Sequence, residues 1–297
     1  SVTDMTDMFE GAEALSDANK CFIHGSFQSN DAWPYDWSDL CELAGYTYVP
    51  DDNFEQALID LGYDDVLDDY VVTDSINSVT SLDVGEKEIS DLTGIAGFTA
   101  LTSLSCDQNQ LTALDVSGNT ALTYLYCRDN ALTSLDVSNN TALTSLYCYR
   151  NQLTALDVSN NTALTTLYCY GSSSTSTYGV TNQITALDFS NNTALTTLFC
   201  YANQLTYLNM KNGVTNQLSS FTATGNSSLT CIETLDPDYA TANWTLANGN
   251  IDAGVTFDVI CGAAARTNWH VATTGSDITG SGTLTSPLSS IQTAINA

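Results

Sequence analysis

The sequence has very little positive charge. Its 297 residues include 6 lysines and arginines against 34 aspartates and glutamates, which gives a formal net charge of −28. Such a chain is repelled by nucleic acid and by anionic membrane surfaces, so we exclude both as partners. The excess of negative charge is unevenly distributed: residues 1–100 carry 22 acids and 2 bases, whereas residues 101–220 carry 6 acids and 3 bases. Contacts of the central region are therefore not dominated by bulk electrostatics.

The sequence also lacks the usual marks of a membrane protein and of an enzyme. No apolar run approaches the roughly 18–20 residues that a membrane helix needs, so we expect no membrane insertion. His24 and His270 are the only histidines, and neither lies in a motif. No glycine-rich phosphate loop, HExxH, paired CxxC or GxSxG sequence occurs. We therefore predict a protein without catalytic residues and without a cofactor.

What the sequence does contain is a repeat of 21 residues. Units begin at Leu101, Leu122, Leu143, Leu164 and Leu195, and the fourth is interrupted by GSSSTSTYGV. Each unit alternates apolar residues twice, first as L-x-x-L-x-C and then as L-x-x-L-x-V. A period of this length indicates a solenoid, and alternation with period two indicates strands with one buried face. We predict that the two halves of each unit lie in two parallel sheets.

The repeat resembles the short, nested leucine-rich repeats of bacterial proteins over residues 101–210. The preceding stretch, YVPDDNFEQALIDLGYDD, resembles the amino-terminal cap of secreted bacterial proteins with these repeats. Independently, apolar residues within 54–61 have helical spacing, with Asp51 or Asp52 as N-cap and Gly62 as stop. The resemblance implies a mainly β, leucine-rich-repeat solenoid with a small helix in its amino-terminal cap, and a secreted or cell-surface location.

The chain divides into five predicted segments. They are the end of a BspA-like surface repeat region (1–45), the amino-terminal cap (46–100), the solenoid with an insertion near 171–180 (101–220), the carboxy-terminal cap (221–263) and the start of a right-handed parallel β-helix domain (264–297). The first segment, the carboxy-terminal cap and the last segment rest on resemblance. Because LSSIQTAINA stops inside what looks like a structured element, we expect a longer protein. Some parallel β-helices are carbohydrate-active enzymes, whose catalytic part would lie beyond residue 297.

The nine cysteines fall into two groups. Five share one inward position in successive coils and predict a column of buried thiols: Cys106, Cys127, Cys148, Cys169 and Cys200. Disulfides between neighbours and a metal–thiolate site are alternatives, although parallel Cβ vectors and a straight column suit them poorly. The other four flank irregular segments, and we predict two local disulfides in an oxidising compartment: Cys21–Cys41 and Cys231–Cys261.

Carboxylates and amides also recur in register. Asp115, Asp136, Asp157 and Asp188 face outward, where they accept hydrogen bonds from the following turn or, alternatively, bind cations. The acidic stretch DDVLDDY (64–70) is either a solvated cap or a calcium site, but it lacks the spacing of a known calcium loop. Asparagines at the first turn of the coils predict hydrogen bonds to the backbone of neighbouring coils: Asn109, Asn130, Asn151 and Asn203.

Aromatic residues occupy the outward positions of the first strand in successive coils. We call them the aromatic wall, and they are Tyr124, Tyr126, Tyr147, Tyr149, Tyr168, Tyr170, Phe199 and Tyr201. A contiguous aromatic patch is typical of an interaction site, because tyrosine offers contact area and a hydroxyl at low entropic cost. The alternative is that the rings stack merely to stabilise the sheet.

Three functions are compatible with these features. The first is a non-enzymatic recognition or adhesion module that binds protein or glycan through the aromatic wall. The second is an accessory region of a carbohydrate-active β-helix enzyme. The third is a structural spacer. The composition and motifs favour the first, with no metal required and calcium as an open alternative.

Overall fold

The computed structural model describes residues 45–171 and 181–262. The predicted surface-repeat and β-helix segments, most of the insertion, the Cys21–Cys41 disulfide and both histidines lie outside these residues. They therefore stay predictions.

The described chain coils into a mainly β solenoid whose principal sheet is parallel. Adjacent strands pair in register one coil apart, so that Leu104 lies beside Leu125 and Leu125 beside Leu146. The central residue of each strand, Phe221 in the last and leucine in the others, is buried and its two neighbours face outward, as alternation with period two requires. The strands of this sheet are β3 (Ser81–Asp83), β4 (Ser103–Ser105), β5 (Tyr124–Tyr126), β6 (Ser145–Tyr147), β7 (Thr166–Tyr168), β9 (Thr197–Phe199) and β11 (Ser220–Thr222).

A second parallel sheet forms on the other side of the coils. Its strands are β8 (Ala186–Asp188), β10 (Tyr207–Asn209), β12 (Cys231–Glu233) and β13 (Thr256–Asp258). In the earlier coils of the described chain, this side shows only an isolated parallel bridge between Asp115 and Asp136. The prediction of two parallel sheets is confirmed, but the second sheet is regular only toward the carboxy-terminal end.

Both ends of the solenoid are covered by non-repeating structure. At the amino-terminal end, Asp51 caps the predicted helix by accepting hydrogen bonds from the backbone amides of Asn53 and Phe54, and Gly62 follows it with φ of +78°. The elements here are β1 (Tyr46–Tyr48), α1 (Asp52–Asp60), β2 (Tyr70–Val72), α2 (Thr73–Ile76) and a 3-10 turn (Ile95–Gly97). At the other end, α3 (Pro237–Asn243) covers the last coils.

The interior of the coils is one continuous apolar core, and buried asparagines bond the backbone at its edge. Leucines, valines and the five solenoid cysteines line it, and the cysteines are fully buried. At the first turn of each coil an asparagine bonds two successive coils: the side-chain amide of Asn130 donates to the carbonyls of Cys106 and Cys127, and its oxygen accepts from the amide of Leu111. Among the described helices, none is long and apolar enough to cross a bilayer.

Candidate functional site: the aromatic wall

The parallel register places the aromatic wall in two columns that run along the solenoid. In the first column, Tyr147 stacks on Tyr168 and Tyr168 on Phe199, with ring centroids 4.9 and 4.6 Å apart. In the second, Tyr149, Tyr170 and Tyr201 stack nearly parallel, with centroids 4.3 Å apart at both steps and interplanar angles of 16° and 11°. The rise between coils therefore sets a spacing that suits ring stacking.

This stacking decides which parts of the rings are accessible. All eight side chains are half-buried, because each ring face inside a column rests on the next ring. Rings of different columns meet at steep angles, for example 62° between Tyr168 and Tyr170. The wall therefore offers a partner mainly ring edges and phenolic hydroxyls, which are good hydrogen-bonding groups.

The first column changes geometry at its amino-terminal end. Tyr126 meets Tyr147 edge-on, with an interplanar angle of 82° and centroids 5.2 Å apart. Tyr124 packs beside them, 5.5 Å from the ring of Tyr147. The hydroxyls of Tyr126 and Tyr149 are 3.2 Å apart and link the two columns.

An arginine at this end was not singled out by the sequence analysis. Arg128 pairs with Asp107 at 2.9 Å and with Asp129, and its Nε donates to the hydroxyl of Tyr126. Both aspartates are buried, so the paired guanidinium neutralises carboxylates that would otherwise be costly to bury. The guanidinium also lies 5.7 Å from the ring centroid of Tyr149. The signal that could have found this group is the register itself, which runs Asp107, Arg128, Tyr149.

Burial raises the pKa of four phenols of the wall, those of Tyr124, Tyr147, Tyr149 and Tyr170. Burial and the hydrogen bond with Tyr126 raise the pKa of Tyr149 well above its usual range. Burial and the neighbouring Tyr201 raise the pKa of Tyr170 to about 12. Although burial lowers it, the hydrogen bonds with Asp129 and Tyr126 raise the pKa of Arg128. The wall therefore combines phenolic hydroxyls with two arginines, Arg128 and Arg150, both of which pair with the buried Asp129.

The cysteines lie behind this face and not in it. The solenoid cysteines are free thiols, and burial raises the pKa of Cys148 well above its usual value. Cys231 and Cys261 form the predicted disulfide, which closes a sequence separation of 30 residues in the carboxy-terminal cap. Buried neutral thiols are poor nucleophiles and poor metal ligands, so the column acts as core packing.

The outward aspartates of the second side are engaged in their own turns. Asp115 Oδ1 accepts from the backbone amide of Ser117 at 2.9 Å, and Asp136 and Asp157 repeat the contact with Ser138 and Ser159. The hydrogen bonds with Ser117 lower the pKa of Asp115. Each of these carboxylates is thus engaged by its own turn, and cation binding along the column stays a prediction.

One acidic group in the described residues is compact enough to consider for a metal. Carboxylate oxygens of Asp52, Glu55 and Asp69 lie within 4.8 Å of one another. Glu55, however, is buried and accepts hydrogen bonds from the backbone amides of Asp68 and Tyr70, so it already holds the loop in place. Calcium binding near residues 64–70 stays an open prediction.

Comparison with known proteins gives partial matches. No protein-family model matches the chain. Internalin J of Listeria monocytogenes serotype 4b (strain F2365) is 36% identical over 70 residues, which are 24% of this chain and 8% of that protein. Among solved structures, the functional domain of InlJ from Listeria monocytogenes, which includes a cysteine ladder, is 32% identical, with a TM-score of 0.41 over 64% of this chain and 52% of that one.

A second solved structure of similar extent is an internalin, InlF, from Listeria monocytogenes strain 4b F2365. It is 21% identical, with a TM-score of 0.45 over 65% of this chain and 66% of that one. The chain thus spans less than two thirds of each of these relatives.

Proposed function

We propose that this chain is a non-enzymatic, extracellular recognition module that binds a partner protein through the aromatic wall. The observation that carries the proposal is the contiguity of eight aromatic residues on the outward face of a rigid parallel sheet. Monomeric proteins seldom expose so many aromatic groups together without a binding role. The 70-residue match to internalin J supports placing the chain among bacterial leucine-rich-repeat proteins.

The geometry favours a protein over a glycan as the partner. Sugars bind aromatic platforms by laying their apolar face on an open ring face, whereas the ring faces within the two columns are covered by stacking. Ring edges and hydroxyls suit the mixed polar and apolar surface of a protein, where tyrosine is enriched. Oligosaccharide binding is therefore the competing outcome of the test below.

The extracellular location rests on redox chemistry. The Cys231–Cys261 disulfide lies in the carboxy-terminal cap, and structural disulfides persist in oxidising compartments. The five solenoid thiols stay reduced there because they are buried in the core. This combination is compatible with secretion or cell-surface display.

A structural spacer is the second candidate, and one observation favours it. Nearly parallel stacking at 4.3 Å between Tyr149, Tyr170 and Tyr201 stabilises the sheet whether or not a partner binds. The two candidates differ in whether removing the rings abolishes retention on a surface.

The test replaces three central rings of the wall together, as Tyr147→Ser, Tyr168→Ser and Tyr170→Ser. The matched control replaces three exposed tyrosines away from the wall: Tyr46→Ser, Tyr48→Ser and Tyr207→Ser. Retention on cell surfaces, protein arrays and glycan arrays is measured, with folding checked by circular dichroism. We expect a loss of affinity of about tenfold or more for the wall variant only, because central aromatic groups dominate binding energy.

Two results would contradict the proposal. Unchanged retention by a folded wall variant would eliminate recognition through the wall and leave the spacer. Loss of retention on glycan arrays alone would identify a sugar as the partner.

A further inference from the structure

The second aromatic column extends beyond its tyrosines in both directions. The amide of Ala202 donates to the carbonyl of Thr224, and that of Ala223 to the carbonyl of Asn250, so the parallel register continues into the carboxy-terminal cap. Residues at the second-column position in successive coils are therefore Asp107, Arg128, Tyr149, Tyr170, Tyr201, Thr224 and Asp252. Both ends of this series are aspartates and its centre is three tyrosines. The two ends differ in the residue between aspartate and tyrosine, which is Arg128 at one end and Thr224 at the other.

At the amino-terminal end the chain closes the stack with its own guanidinium. Arg128 lies 5.7 Å from the ring centroid of Tyr149 on one side and 2.9 Å from the carboxylate of Asp107 on the other. A planar cation fills one coil step between a phenol face and an acid, where it gains both ring contact and charge pairing.

At the carboxy-terminal end, the coil between tyrosine and aspartate has only the short side chain of Thr224 at the second-column position. Tyr201 stacks on Tyr170 with one face, and among the described residues no aromatic ring or cation lies against the other. Thr224 occupies the next coil, followed by Gly225, which has no side chain and approaches the backbone of Ala202. The outer face of Tyr201 is thus the place in the second column where a further planar group would continue the stack.

The charge beside this place is negative. Asp252 lies one coil beyond Thr224, and its Oδ2 accepts from the backbone amide of Asn226 at 3.0 Å, which turns the carboxylate back toward the turn at Gly225. Residues 212–262 contain five acids and no lysine or arginine, so no cation of this cap balances Asp252. A cation of a partner placed at the level of Thr224 would lie one coil from Asp252, as Arg128 lies one coil from Asp107.

We propose that this end of the column binds an arginine side chain of the partner protein, with the guanidinium stacked on Tyr201 at the level of Thr224 and paired with Asp252. This inference rests on the proposed function and specifies one contact of the same face. Arginine fits better than lysine, because its planar group stacks on a ring and offers two parallel donors to a carboxylate, whereas an ammonium is a compact, strongly hydrated charge. Arginine anchors are also enriched at interface centres.

The first experiment uses small probes on the whole chain. Nα-acetyl-arginine amide, Nα-acetyl-lysine amide and methyl glucoside are titrated while the NMR signals of the Tyr201 ring and the Thr224 methyl group are followed. We expect the arginine probe to shift both signals, and Asp252→Asn to weaken its binding about fivefold, as for an ion pair near a surface. Asp65→Asn, which removes an exposed charge from the other end of the chain, should leave binding unchanged.

The second experiment fills the gap from within. Thr224→Arg should bring a guanidinium between Tyr201 and Asp252, raise the melting temperature relative to Thr224→Lys and abolish the response to the arginine probe. The additional change Asp252→Asn should remove the gain in melting temperature.

Any of three results would overturn the proposal. The first is equal response to the arginine and lysine probes, and the second is response to methyl glucoside alone. The third is a Thr224→Arg variant that folds but still binds the arginine probe with the original affinity. These failures are distinct from failure of the proposed function, because the triple tyrosine variant tests retention by the wall while Tyr201, Thr224 and Asp252 stay in place.

Discussion

At the scale of single residues, the solenoid cysteines show how size and burial decide a role. Each occupies an inward position beside leucines of the same coil, and each is fully buried. Burial raises the pKa of Cys200 to about 12 and that of Cys127 well above the ordinary thiol value of 9.0. A protonated thiol behaves as a small apolar group, so the column packs the core and does no chemistry.

These thiols predict a loss of stability in alkali. Their folded-state pKa is raised above the unfolded value, so their contribution is complete below pH 9.0 and is lost as the pH rises toward about 12, the pKa of Cys200. We expect the free energy of unfolding to fall by on the order of 1 kcal/mol per thiol per pH unit above 9. Urea midpoints between pH 8 and pH 10.5 measure this.

The control for this prediction is a variant with Cys127→Ala and Cys148→Ala. It should be less stable at pH 8, because cavities form, but its stability should fall less steeply with pH than that of the parent chain. Equal slopes for the two proteins would show that other groups, such as the tyrosines, cause the alkaline loss.

At the scale of the element, the first turn of the coil combines strain with compensation. Gln108, Asp129, Arg150 and Ala202 all take φ between +52° and +54°, a left-handed conformation that costs a non-glycine residue of order 1 kcal/mol. The asparagine that follows each of them bonds the backbone of two coils. For Asn151 these bonds are donated to the carbonyls of Cys127 and Cys148 and accepted from the amide of Leu132.

We therefore predict that Asn151→Ala destabilises the solenoid by about 2 to 3 kcal/mol, since it leaves the buried amide of Leu132 without its partner and removes one of the two asparagine donors to each carbonyl. The matched control is Asn160→Ala, because Asn160 is exposed and makes only a long contact with the carbonyl of Ser138. Equilibrium urea unfolding gives both values. If Asn151→Ala lowers the free energy of unfolding no more than the control does, the asparagines of the first turn are not a source of stability.

At the scale of the whole molecule, stability is shared between neighbouring coils. Each coil pairs only with the coils before and after it, so end coils need caps that cover their open edges. At the carboxy-terminal end, the disulfide links β12 to the residues just after β13, and Glu233 accepts hydrogen bonds from Lys211 and from the amide of Cys261. This cap is also the part of the molecule that carries Asp252.

Removing the disulfide should loosen the carboxy-terminal end first. For a loop of 30 residues, the chain-entropy model gives a cost of roughly 3 to 4 kcal/mol for Cys231→Ala with Cys261→Ala. We expect hydrogen-exchange protection to fall in β10, β12 and β13, whereas β4, β5 and β6 keep theirs. A uniform loss along the solenoid would instead mean that the coils unfold as one unit.

The periodic features of this protein were predictable because every coil repeats them. Alternation of leucine with polar residues determined the coil, the buried cysteines and the outward tyrosines, and the asparagine register determined the bonded turn. The helix beginning after Asp51 followed from a capping residue and apolar spacing. Such local rules act on residues close in sequence, or on residues made equivalent by the repeat.

Features without a repeat were decided by the tertiary structure. Side chains in different coils determine the pairing of Arg128 with Asp107 and the contact of ring faces within the columns. The same holds for the position of Asp252 beyond Thr224, and Asp252 also lies past the repeats, in an irregular cap. The sequence by itself therefore determined the coil and the two sides of the sheet, because these follow from hydrophobic alternation. Only the folded chain decided which ring faces are covered by stacking, because that depends on the spacing between coils.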